Sequence, residues 1–332
     1  MAMKTKRLLY VLLILFLLTV SGGCSGNRNR NFSAGKISLD TYVSVTLYGC
    51  GSDELANEAI NLCDYYSGIF SRTDNNSLLY KLNEKGSMEI AGEEERILAD
   101  VIKQSVRMCD VTDGALDIAI EPLTCLWDFK DSDVVPDASD IENACGKTDY
   151  TKIRVTDTKV ELNGTRLDLG AVAKGYVADS ICDFLRQNGV NSAVVSLGGN
   201  VACIGKKPDG KDFTIGVQKP FGEQSEVSAV LLLDDMSAVT SGVYERYFYI
   251  GDKLYHHILD PGTGMPSESG LLSVTIISDN SFRCDGLSTG CFVMGKEKAI
   301  KLLDGMEGVY GIFIDKDYNI TYSEGAESFL KK

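Results

Sequence analysis

A succession of short strand-forming segments in the second half of the chain constrains the fold more than any other feature. Residues 192–196, 200–204, 213–217, 227–233 and 273–277 are rich in apolar and β-branched residues and are separated by turn chemistry. Gly198-Gly199, between two of them, marks a turn or the close approach of a ligand. An earlier strand is expected over 37–48, from Ile37, Leu39, Tyr42, Val43, Val45 and Leu47. Helical spacing takes over at 53–70, with Leu55, Ala59, Ile60, Cys63 and Tyr66, and again at 93–109, with Ile97, Val101, Ile102 and Val106. Ser77 is placed to cap a short segment over 78–83. Residues 131–152 are acidic and turn-rich and read as an exposed excursion, followed by a hairpin from 153–155 and 159–162.

Residues 1–24 read as a targeting segment. Lys4, Lys6 and Arg7 form a basic start, and the apolar run over 8–20, at 13 residues, is short for a membrane span and suits a signal peptide. Ser21-Gly22-Gly23-Cys24 resembles a bacterial lipobox, whose cysteine is lipidated and becomes the new N-terminus. Ser21 stands where Leu is usual, and ordinary secretion with cleavage elsewhere is the alternative. Residues 25–35 read as a flexible tether, which leaves 36–332 for the folded domain. The expected location is extracytoplasmic, on the membrane through Cys24. A formal net charge of -14 argues against nucleic acid as a partner, and a polyanionic ligand would need a metal or local donors. Ten cysteines, odd in number once Cys24 is set aside and without any C-x-x-C, point to buried free thiols rather than a disulfide framework or a zinc site.

Chemistry-bearing residues cluster in a few stretches. His256 and His257 are the only two histidines, and histidine is the side chain whose ordinary pKa suits proton transfer near neutral pH. If 254–259 is a strand, the two point to opposite faces and at most one meets a site. Asp260-Pro261-Gly262-Thr263-Gly264 then supplies a turn; a surface hairpin with incidental histidines is the alternative. A strand is expected to end at Leu169, Gly170 to turn the chain, and a helix to run to Gln187 with Gly189 as its stop. Lys174 falls in the first turn of that helix, where free N–H groups and the macrodipole favour an anion and an ammonium adds charge. Asp285 opens a further helix, and Thr289 lies on the same face one turn on. A carboxylate with a hydroxyl suits Mg²⁺, while Asp285 as a helix cap is the alternative. The small residues of Gly114-Ala115-Leu116-Asp117 allow a backbone to approach a flat ligand, or simply form a tight turn.

Taken together, these stretches resemble the ApbE family, the FAD:protein FMN transferases. The resemblance is carried by Phe70-Ser71 through Ser77 to Asn83, Gly114-Ala115-Leu116-Asp117-Ile118, Pro122-Leu123 with Trp127, and Asp168-Leu169-Gly170-Ala171-Val172-Ala173-Lys174-Gly175-Tyr176. It continues through Ser196-Leu197-Gly198-Gly199, Thr240-Ser241-Gly242-Val243-Tyr244, His257-Ile258-Leu259-Asp260-Pro261-Gly262-Thr263-Gly264 and Asp285-Gly286-Leu287-Ser288-Thr289. These stand in the family's order over most of the mature chain.

The resemblance implies an α+β fold of mixed and antiparallel sheets with packed helices, similar to tunnelling-fold proteins, with the flavin in a cleft between two lobes. It implies an exported, often lipid-anchored enzyme that splits FAD with Mg²⁺. The enzyme esterifies FMN onto a threonine or serine of a target flavoprotein, such as a redox-pump subunit or an exported flavoprotein, and releases AMP. Carried over by position, Mg²⁺ would be held by the backbone carbonyl of Ala171 and the side chains of Asp285 and Thr289. FAD would lie against Leu39, Thr73, Ala115, Leu116, Asp117, Asp168, Lys174 and Leu259. Leu39 stands where Met is common, Thr73 where an aromatic is common, and Asn200 where Asp is usual. His257 is the candidate general base, with His256 on the opposite face. Two other readings share the same residues: an FAD pyrophosphatase that uses water as acceptor, and an exported flavin-binding lipoprotein without turnover.

Overall fold

The structure is a computed structural model that describes residues 30–223 and 225–332. The expected signal peptide, the lipobox with Cys24 and the first part of the tether lie outside the described residues. The fold is α+β. One antiparallel sheet holds β1 (Asn31–Ser38), β2 (Thr41–Tyr48), β3 (Ala193–Leu197), β4 (Asn200–Ile204), β5 (Ser237–Gly242), β6 (Leu271–Ser278), β7 (Val309–Asp315) and β8 (Ile320–Tyr322). These strands follow one another in space as they do along the chain, so the sheet is a meander and everything else is inserted between neighbours.

The helices are α1 (Asp53–Phe70), α2 (Leu78–Lys85), α3 (Glu93–Val111), α4 (Glu121–Trp127), α5 (Ala138–Cys145), α6 (Ala173–Gln187), α7 (Ser281–Met294) and α8 (Lys296–Leu303). Alternation along β5 sorts the two faces of the sheet. Val239 packs with Cys284, Leu287 and Phe292 of α7, whereas Ala238 packs with Phe213, Val217 and Leu231 of a hairpin on the far face. A larger core joins β2 and β3 to α1, α3 and α6. A smaller cluster gathers Leu123, Trp127, Ile141, Phe248 and Leu259.

Several sequence expectations need correction. The strand expected over 37–48 is a hairpin: Leu39 and Asp40 take φ of 51° and 59°, and the chain folds back. The turn lacks the usual Asn-Gly or Gly signature, so composition does not reveal it. The folded domain also begins earlier, since β1 starts at Asn31, inside the stretch read as a tether. Pairing with β2 and the packing of Phe32 and Ala34 on the main core override a polar, loop-like composition. The acidic excursion contains α5, whose Ile141 and Ala144 are buried beside Trp127 while its acidic residues face outward. No strand precedes Gly170. The Asn83 amide takes both backbone groups of Leu167, at 2.7 and 2.9 Å, in place of a ladder partner.

The helix holding Asp285 starts four residues before it, at Ser281. Asn280 caps it by accepting from the Arg283 N–H at 2.7 Å. Asp179 of α6 caps it again from the side, accepting from the N–H groups of Ser281 and Phe282 at 2.9 Å each. Burial pushes the Asp179 carboxyl up to about 6, although those two N–H groups pull it down. The two helices touch at Gly175. A Cβ there would lie 2.5 Å from the Ser281 carbonyl oxygen and 2.8 Å from Asp285 Cβ. The nine cysteines among the described residues are free, and six of them are buried.

Gly175→Ala should therefore force α6 and α7 apart. Overpacking of this kind costs about 1–3 kcal/mol, read by calorimetry as a fall of several degrees in the unfolding midpoint. A variant that melts with the wild type would contradict this close approach.

Candidate functional site

The site is built where α6 crosses α7, at the boundary between the two larger cores. The Gly175 N–H, in the first turn of α6 where a helix leaves its donors unpaired, donates to Asp285 Oδ2 at 2.8 Å. The next N–H, of Tyr176, makes the first bond of the helical ladder, to Val172. Among the described residues no donor reaches the Ala171 carbonyl or Asp285 Oδ1. Asp285 is 4% exposed. Burial pushes its carboxyl up, and the positive charge of Lys174 offsets part of that. Lys174 Nζ donates to the Gly170 carbonyl at 3.1 Å and has no salt-bridge partner among the described residues.

The start of α6 supplies fewer free N–H groups than sequence suggests. Those of Val172 and Ala173 bond to Leu169, and that of Gly175 goes to Asp285. Positive charge at this end therefore comes chiefly from Lys174. Thr289 lies one turn beyond Asp285 on α7, half-buried, with its Oγ1 3.2 Å from Ser241 Oγ on β5.

No cluster of three or more His, Cys, Asp or Glu able to hold a metal occurs among the described residues. Ala171, Asp285 and Thr289 instead offer an orphaned carbonyl, a buried carboxylate and a hydroxyl, the hard-oxygen, few-ligand donor set that suits Mg²⁺. Ala171 is half-buried, and its unpaired carbonyl is available to a cation.

The two histidines divide as the alternation argument expects, although the strand (Lys253–His256) ends at the first of them. His256 is buried. Its Nε2–H donates to the Ser267 carbonyl at 3.1 Å, its Nδ1 accepts from the Ile258 N–H at 3.3 Å, and its ring meets Phe292 edge-on. Both nitrogens are used, and burial pushes the ring down to about 4. His257 is half-buried, and its Nδ1 lies 3.3 Å from the Arg246 carbonyl, which can only accept. Nδ1 therefore carries the proton and Nε2 keeps a free lone pair. Burial, then the neighbouring His256, Arg246 and Lys174, hold this ring down at about 3.

The residues expected to meet FAD play unequal parts. Asp168 is held by protein on both oxygens: Oδ2 accepts from Arg72 Nε and Thr124 Oγ1 at 2.8 Å, and Oδ1 from the Gly170 N–H at 2.8 Å. It braces the turn that presents Ala171. Asp117 is buried, its carboxylate accepting from the N–H groups of Ala119 and Tyr150 at 2.6 and 3.1 Å. Its side chain shapes the loop that carries the half-buried Ala115. Leu116 and Leu259 bury their side chains, the first in the main core and the second beside Trp127. Trp127 Nε1–H donates to the Gly264 carbonyl at 2.7 Å and fixes the turn after Leu259.

Leu39 and Thr73 are joined to the site through neighbours. Asp40, next to Leu39, lies 3.6 Å from Arg246, whose carbonyl holds His257. Thr73 is exposed and follows Arg72, the partner of Asp168. Asn200 is fully buried, accepts from the Ser281 hydroxyl at 2.8 Å, and leaves its Nδ2 without a partner. Sequence reasoning missed Arg72, Thr124, Arg246 and Ser241. The available signal was position alone: Arg72 and Ser241 lie inside motif stretches, and Thr124 and Arg246 close to one. A cavity of about 110 Å³ lined by Gly198, Gly199, Thr240 and Tyr244 does not include His257, Asp285 or Thr289.

The chain is similar to known proteins along most of its length. The family model described as ApbE family matches residues 39–313. A FAD:protein FMN transferase of Klebsiella pneumoniae is 33% identical over 300 residues, covering 89% of this chain and 92% of that protein. One of Treponema pallidum is 30% identical over 328 residues, covering 92% and 90%. The crystal structure of the ApbE protein of Thermotoga maritima superposes with a TM-score of 0.83 at 31% identity, covering 91% of this chain and all of that one. The flavin transferase ApbE of Vibrio cholerae gives 0.80 at 26% identity, covering 91% and 99%. With these likenesses along most of its length, the chain belongs to the ApbE family.

Proposed function

We propose that the protein is a Mg²⁺-dependent FAD:protein FMN transferase that esterifies FMN onto a threonine or serine of an acceptor protein and releases AMP. The observation that carries this reading is the carbonyl of Ala171, which meets no donor among the described residues and stands just before the helix whose Gly175 N–H bonds Asp285. Held by Ala171, Asp285 and Thr289, Mg²⁺ would neutralise charge on the pyrophosphate. The chain's own residues do the rest. Lys174, without a carboxylate partner, adds positive charge at the transferring phosphoryl group. Asp168, pinned by Arg72 and Thr124, keeps the Gly170–Ala171 turn in place.

The acceptor hydroxyl oxygen attacks the FMN phosphorus, and the bond from that phosphorus to the bridging oxygen of AMP breaks. The hydroxyl proton passes to Nε2 of His257, whose tautomer is already set by Arg246. A ring held near 3 is a weak base. Burial is the main cause of that depression and the neighbouring cations add to it; an anionic substrate beside Lys174 would offset only the cationic part. The segment over 1–24 supports export, with lipid anchoring through Cys24 at the extracytoplasmic face, and hence an acceptor protein reachable from there.

The test is mass spectrometry of an acceptor incubated with the full-length protein, FAD and Mg²⁺, with AMP and free FMN quantified. Transfer predicts acceptor carrying FMN and matching AMP. Free FMN plus AMP with unlabelled acceptor would favour the pyrophosphatase, and no AMP at all the carrier. Asp285→Ala should abolish transfer, because it removes the only charged oxygen of the metal set; normal transfer would remove that assignment. His257→Ala should slow single-turnover transfer at least about 100-fold, within the range a general base contributes, while FAD still binds. His256→Ala should transfer within a few-fold of wild type yet unfold at a lower temperature. A large loss confined to His256→Ala transfer would reverse the roles of the two rings.

A further inference from the structure

The hydroxyl groups between β5 and α7 allow one consistent arrangement of protons. Ser288 Oγ lies 2.9 Å from the carbonyl of Asp285, which can only accept, so the single Ser288 proton goes there. Ser241 Oγ lies 2.7 Å from Ser288 Oγ, which has no proton left, so Ser241 donates to it. Ser241 Oγ also lies 3.2 Å from Thr289 Oγ1, and with its own proton committed it can only accept. The protons therefore run from Thr289 to Ser241, from Ser241 to Ser288, and from Ser288 to the Asp285 carbonyl.

We infer that Ser241 is a positioning residue for the metal site, holding Thr289 as an oxygen that offers lone pairs and no proton to Mg²⁺. The inference rests on the metal reading proposed above. A hydroxyl ligand must aim a lone pair at the cation, and partners behind the ligands set such orientations. Nothing on α7 replaces Ser241 in this task. Without it, the Thr289 hydroxyl is free to back-bond to the Asp285 carbonyl four residues earlier, the usual recourse of a helical threonine. That rotation would turn the Oγ1 lone pairs away from the cation. Ser288 is buried and anchors the far end of the chain. The arrangement also gives the Thr240-Ser241-Gly242 stretch a task that its sequence alone does not state.

The experiment measures, in the full-length protein, the Mg²⁺ concentration that half-saturates FAD binding, followed by flavin fluorescence. Wild type, Ser241→Ala, Ser241→Thr, Thr289→Val and the Ser241→Ala/Thr289→Val pair are compared, each with its thermal midpoint. Loss of a partner behind a metal ligand typically weakens the metal about 10–100-fold, so Ser241→Ala should raise the half-saturating Mg²⁺ by about that factor. Ser241→Thr, which keeps the hydroxyl, should restore it to within a few-fold. The double variant should be no worse than Thr289→Val alone, since Ser241 acts through Thr289. An unchanged Mg²⁺ requirement in Ser241→Ala overturns the inference, as do additive losses in the double variant. Wild-type FAD binding indifferent to Mg²⁺ is a separate failure, which removes the metal reading itself.

Discussion

The hydrogen bond from the Gly175 N–H to the buried carboxylate of Asp285 is the contact on which the site depends. It exists because residue 175 has no Cβ, which lets α6 approach the backbone of α7. Asp179 reinforces the crossing by capping α7 from α6. The bond has two consequences. It orients a carboxylate that has few protein partners, and it satisfies one of the N–H groups that the start of a helix leaves unpaired. The Ala171 carbonyl stands just before the helix cap, outside the ladder, and meets no donor among the described residues.

The meander sheet explains how such a crossing is held from both sides. Neighbouring strands along the chain are neighbours in space, so each insertion leaves and re-enters the sheet at adjacent positions. The long insertion between β2 and β3 brings α6 onto the helical face, and the one between β6 and β7 brings α7 beside it. Ion pairs then tie the peripheral loops to this centre. Arg72 joins the loop after α1 to Asp168, and Arg246 joins the histidine segment to the Leu39–Asp40 turn through Asp40. The Arg246–Asp40 pair is exposed and stabilises little, whereas Arg72–Asp168 is mostly buried; both fix the relative placement of chain segments far apart in sequence.

What sequence made legible, and what it did not, divides along physical lines. Helices with strong apolar periodicity, such as α1 and α3, stand where spacing places them, and Ser77 caps α2 by accepting from the Tyr80 N–H. Lys174 lies in the first turn of its helix, and the ordered motifs lead to the family. The Leu39–Asp40 turn was hidden because two left-handed residues without glycine give no signal. The start of α7 was misplaced because Asp285 looks like a cap, whereas Asn280 and Asp179 cap the helix. The carboxylates of Asp117 and Asp168 serve the loops that frame the site, which only the fold reveals. Ser241 is silent in sequence, since its meaning lies in a β5–α7 distance.

The central claim is that the α6–α7 crossing holds a divalent cation on the oxygens of Ala171, Asp285 and Thr289. Anomalous diffraction from crystals grown with Mn²⁺, a hard-oxygen stand-in for Mg²⁺, tests it most directly. The account predicts an anomalous peak within bonding distance of the Ala171 carbonyl, Asp285 Oδ1 and Thr289 Oγ1. A well-occupied peak elsewhere in the protein, with Asp285 making no contact to metal, would contradict it.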